Sequence, residues 1–278
     1  MATLARADLE SLLRSRKLDA TLAMSHPLAL PAPLAAPTGV PVLDARLGGG
    51  LPRGQVSEIV GPASSGRTWL AATAIAAATR RGELVALIDT LDRFDPASAP
   101  PGIVWANLLW VRGPSLGVST TATRLSFGRQ PSDADGGMLV RAVDRAIKAA
   151  AMILSAGGFG LVVLDVSDVP SRAVRQLPMT TWLRLQRLVE GRDTVALLMA
   201  PEPTTRGPGG VSMALGRAPG FTARWAGGSD RARMFDGFNL RVKITRARFR
   251  ADDEQAVLVA AAHGRAVSPE PSALSPEP

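Results

Sequence analysis

Cysteine is absent from the 278 residues, which excludes disulfides, thiol catalysis and cysteine metal sites. Histidine occurs only as His26 and His263, both in low-structure flanks, so a zinc site is not expected. No apolar run is long enough to span a bilayer, and the N-terminus lacks the apolar core of a signal peptide. No membrane association is therefore expected, and the expected setting is the cytoplasm, including the nucleoid. What is present points to a large folded domain with a polyanionic partner. Hydrophobic residues make up 46% of the chain, and 32 Lys+Arg against 24 Asp+Glu leave a net charge of +8.

Thr3 can cap a helix over residues 4–18, with Leu9, Leu12 and Leu13 on one face and Arg14, Arg16 and Lys17 near its C-terminal end. A single short helix cannot bury its own stripe, so it docks on the core or on a neighbouring subunit. Five prolines between residues 26 and 41 read as a linker. The expected organisation is an N-terminal docking or self-association helix within 1–25, a Pro-rich linker at 26–37, a core over 38–263 and a disordered tail at 264–278. Residues 48–54 read as a turn cluster. Apolar runs at Gln55–Val60, Glu83–Asp89, Asn107–Val111, Leu161–Val166 and Thr194–Ala200 alternate with helical patterns at Trp69–Arg81, Met138–Leu154 and Met179–Glu190. Strands that are apolar throughout predict an α/β fold, a mostly parallel sheet with helices on both faces. Residues 113–137 read as an irregular connection. Residues 201–239 hold few apolar runs, and Leu240–Phe249 alternates apolar with basic, predicting a half-exposed antiparallel strand near an edge. Ala256–Ala262 reads as a last strand or a short helix.

Three constellations carry chemistry. The first is Gly61, Pro62, Ala63, Ser64, Ser65, Gly66, Arg67 and Thr68, between a predicted strand and a predicted helix. It matches the phosphate-cradling pattern G-x-x-x-x-G-K-[ST] except at Arg67, where lysine is usual. Backbone N–H groups of such a loop turn towards phosphate. The second is Asp165, which ends the buried strand LVVLD and would hold Mg²⁺ together with Thr68. Arginine is longer and planar, and does not replace the compact lysine charge like for like. The third constellation is basic: ten Lys and Arg lie between residues 203 and 250 against Asp230 and Asp236, an excess equal to the charge of the whole chain. Arg206, Arg241, Lys243, Arg246, Arg248 and Arg250, with Phe221 and Trp225 for stacking, suit single-stranded DNA. A solvated basic face or a surface for an acidic protein fits the same charges.

The segment TGVPVLDARLGGGLPRGQVSEIVGPASSGRT, followed by ELVALIDTLDRFDP, NLLWVRGP, LVVLDV and TVALLMA, resembles the ATPase core of RecA recombinases over about residues 38–250. It resembles more closely the diverged RecA-like ImuA proteins. That resemblance implies a RecA-like core with antiparallel edge strands near the C-terminus, and an accessory role in damage-induced translesion synthesis. It also implies two partners, an ImuB-like relative of Y-family polymerases and an error-prone replicative polymerase. ATP with Mg²⁺ is the implied cofactor, in a site degenerate at three places. Besides Arg67, the family's water-activating glutamate falls on Leu91, with Asp92 beside it as the only candidate base, and the γ-phosphate-sensing glutamine falls on Pro201. The expectation is weak or absent hydrolysis. The rival expectations are an active DNA-dependent ATPase that forms filaments, and a regulator of cell division or the damage response.

Overall fold

The computed structural model describes residues 35–115, 133–205, 210–216, 221–226, 234–246, 256–262 and 265–267. The N-terminal helix and most of the linker and tail lie outside the described residues, as do Arg206, Arg248 and Arg250.

The core opens earlier than expected. Strand β1 (Ala35–Ala36) lies in the stretch read as linker and pairs antiparallel with β2 (Leu51–Pro52), inside the supposed turn cluster. Pro41 is no linker residue either: it opens helix α1 (Pro41–Leu47), where its fixed φ suits the first turn. The Asp44 carboxylate then reaches back to the N–H groups of Thr38 (2.7 Å) and Gly39 (3.2 Å), fixing the entry to the core.

The central strands follow the apolar runs: β3 (Val56–Val60), β4 (Val85–Asp89), β5 (Leu108–Arg112), β6 (Leu161–Asp165) and β7 (Val195–Ala200). The last strands are β8 (Ser212–Leu215), β9 (Phe221–Ala226), β10 (Met234–Arg246), β11 (Ala256–Ala262) and β12 (Arg265–Val267). Their order is β12-β11-β10-β8-β3-β7-β6-β4-β5, with β9 also paired to β10. From β8 to β5 every pairing is parallel; from β8 to β12 every pairing is antiparallel. The predicted mixed sheet is therefore present.

The helices are α2 (Arg67–Arg80), α3 (Asp133–Ala156), α4 (Ser171–Arg175) and α5 (Met179–Val189). Alternate residues of each buried strand feed two cores. Leu87, Val163 and Leu197 join Leu70, Ala74 and Ile75 of α2. Ala86, Val162 and Leu198 join Val143 and Ala150 of α3 and Trp182 and Leu185 of α5. Helices cover both faces, which is why these strands carry no polar alternation.

Three expectations fail. Helix α3 begins at Asp133, inside the stretch read as irregular. Two strands, β8 and β9, occupy the Gly- and Pro-rich region. The tail, read as disordered, contributes β12. β10 is antiparallel and near an edge as expected, third in the sheet order, with β8 and β9 on one side and β11 on the other.

Candidate nucleotide site

The loop Gly61–Thr68 leaves the C-terminal end of β3, and Asp165 ends β6 on the same side of the sheet. Asp165 is level with Asp89 on β4 and with Met199 on β7. The loop backbone has a cradle's shape. Ser64 and Gly66 lie in the left-handed region (φ 62° and 89°), and Gly66 caps α2. A Cβ on Gly61 would sit 2.5 Å from the Leu215 carbonyl oxygen and 2.7 Å from the Ser65 hydroxyl, so only glycine fits. The Ser65 hydroxyl is fully buried and has no hydrogen-bond partner, an orphan donor that a phosphate oxygen would satisfy. Pro62, Ala63 and Ser64 are exposed along the loop, and Thr68 is exposed in the first turn of α2.

Arg67 departs from this design. It is only 4% exposed. One guanidinium nitrogen donates to the Gly61 carbonyl oxygen, and the other to the Asp168 carboxylate at 2.6 Å. Both partners belong to the protein.

Asp165 accepts from the Ser167 N–H at 2.9 Å. Burial pushes its carboxyl up to about 6, against the lowering effect of the Ser167 bonds and with a further rise from Asp89 and Asp168. Asp89 is buried and accepts from the N–H groups of Arg93 and Phe94 (both 2.8 Å) and from the Trp110 indole (3.3 Å). It organises the chain after β4, a role the terminal carboxylate of ELVALID could have suggested.

Leu91 is 6% exposed and packs in the core beneath α3. Asp92, beside it, is held by a cation. It sits at φ 56° and forms a two-pronged pair with Arg112 (2.7 and 2.8 Å), whose hydrogen bond holds its carboxyl below the ordinary value. A carboxylate so held is a poorer proton acceptor. The loop backbone thus fits a phosphate chain, while Arg67 and Asp92 are each paired within the protein. Thr68 and Asp165 are the residues that would hold Mg²⁺; among the described residues no three potential ligands cluster.

The basic segment divides. Arg241 is exposed and Lys243 partly so, on the face of β10 opposite buried Leu240 and Val242. Arg246 is structural: it donates to the Thr205 carbonyl (3.0 Å) and hydroxyl (3.1 Å), 4.0 Å from Glu58. Glu58, 1% exposed in the middle of β3, accepts from the N–H groups of Thr204 and Thr205 and the Ser212 hydroxyl. Sequence reasoning missed it, although a glutamate inside an apolar strand was the signal. Trp225 (59% exposed) stacks edge-to-face on Phe235 (55% exposed) at 5.9 Å; the Phe221 side chain lies outside those described. Behind the loop, Trp69 of α2 meets Phe238 of β10 edge-to-face at 5.2 Å.

Residues 33–121 match the RecA N-terminal domain. RecA of Chlorobaculum tepidum is 51% identical over 81 residues, 29% of this chain and 23% of that protein. RecA of Amycolatopsis mediterranei is 37% identical over 136 residues, 48% of this chain and 32% of that protein. The chain thus spans under a third of the length of these curated relatives. The crystal structure of the RadB recombinase superposes with a TM-score of 0.51 at 17% identity, covering 83% of this chain and 98% of that one. The fold is RecA-like. The matched residues 33–121 include the loop Gly61–Thr68. No helix among the described residues is long and apolar enough to cross a membrane.

Proposed function

We propose that this chain is a RecA-like accessory protein of DNA damage tolerance, of the ImuA kind, acting as a scaffold and not as a motor. It binds an ImuB-like polymerase relative and an error-prone replicative polymerase, and it contacts single-stranded DNA through Arg241 and Lys243 of β10. Two observations support the reading: Leu91, where the resemblance puts the water-activating carboxylate, is buried in the core, and Arg67 is bonded to its own loop. Phosphoryl transfer rests almost wholly on positioning and charge stabilisation, so these losses lower the rate by orders of magnitude. The likeness of residues 33–121 to the RecA N-terminal domain supports a setting in DNA repair or recombination.

Deletion of the gene tests this reading. Damage-induced mutation frequency is expected to fall several-fold while homologous recombination persists, and the tagged chain is expected to capture the polymerase relative. Unchanged mutagenesis with lost recombination would favour the filament-forming ATPase instead.

A further inference from the structure

The Arg67 guanidinium is buried, and a buried cation needs an anion. At this position of a phosphate loop the anion is ordinarily a phosphate oxygen. Here it is Asp168, on the segment after β6, at 2.6 Å. The Asp168 side chain is 42% exposed and that of Arg67 5%, so the pair reaches solvent through its carboxylate. The rest of the cradle stays unsatisfied: the Ser65 hydroxyl is buried against Gly61 without a partner, while Ser64 and Gly66 keep their left-handed turn.

We propose that Asp168 is an internal stand-in for phosphate, which holds Arg67 and keeps the loop closed to the phosphates of a nucleoside triphosphate. The inference rests on the reading of a degenerate nucleotide site and names the group that closes it. Two anions compete for one guanidinium. The carboxylate is always at hand, and once it is paired an arriving phosphate meets both a neutralised cation and a like charge. Removing the carboxylate leaves Arg67 buried and unpaired, which favours any ligand that brings an anion to it. A closed pair populated about nine parts in ten masks an intrinsic affinity about tenfold.

The test is Mg-ATP binding to the full-length chain by calorimetry, with ligand-induced thermal shift as a second readout. Asp168→Asn is expected to bind at least about tenfold more tightly than the unmodified chain and to gain the larger thermal shift. Adding Arg67→Ala in that background is expected to abolish the gain. Asp168→Ser repeats the measurement should the asparagine form melt without a cooperative transition. Affinity no greater than that of the unmodified chain, or a gain that survives loss of Arg67, overturns the proposal. ATP turnover and mutation frequency of the unmodified chain judge the accessory reading separately, so either idea can fail while the other stands.

Discussion

Arg67 sits where a phosphate loop carries lysine, and its longer, forked side chain can satisfy itself from within the protein. Lysine offers one compact charge; the guanidinium spans from the Gly61 carbonyl to the Asp168 carboxylate at once. At the end of β6, Asp165 carries an electrostatic cost. Burial raises its pKa from the ordinary value of 3.8 to about 6, so the protonated form is favoured on folding. The associated stability is fully present below pH 3.8 and is lost as pH rises through 6. Asp165→Asn is therefore expected to stabilise the protein at pH 7.5 by up to about 3 kcal/mol, with the advantage vanishing near pH 4. Urea melts at both pH values check this. The same advantage at both would mean that the gain is not electrostatic.

At the scale of elements, β10 does two jobs with one alternating pattern. Leu240 and Val242 close the core behind the loop, Arg241 and Lys243 face the other way, and Arg246 ends the strand against Thr205 and Glu58. Neutralising Arg241 and Lys243 together is expected to weaken binding to single-stranded DNA on every sequence, and to flatten the log–log salt dependence by about 0.7 per lost phosphate contact. Arg246→Gln is expected to leave that slope unchanged and to lower stability by about 1–2 kcal/mol, because it removes bonds to Thr205 beside a buried carboxylate. Salt titrations and denaturant melts of the two variants separate the roles; a slope change in Arg246→Gln would return that residue to the DNA surface. The alternation of β10 was legible in the sequence. The partners of Arg246 were not, because Glu58 and Thr205 lie far away along the chain and meet it only once β3, β8 and β10 have paired. For the same reason β8 and β9 hid in a Gly- and Pro-rich stretch: they are short, and their neighbours hold them more than their own propensity does.

Over the whole molecule, the mostly parallel sheet was readable because β4, β6 and β7 are buried on both faces and leave largely apolar runs, while β3 interrupts its own with Ser57 and Glu58. The phosphate loop was readable from its glycines and its place between strand and helix. Its self-occupied state was not, since Asp168 carries no mark in the sequence that distinguishes it from any other loop carboxylate. Leu91 and Pro201 were found by resemblance, and the burial of Leu91 gives that departure its physical meaning. The proposed function requires that the sheet, the cradle and the basic strand outlast the groups that position water and sense the third phosphate. Steady-state ATP hydrolysis by the purified full-length chain, with and without single-stranded DNA, measures this most directly. The expected result is turnover indistinguishable from a Thr68→Ala control under both conditions. A DNA-stimulated rate that Thr68→Ala abolishes would contradict it.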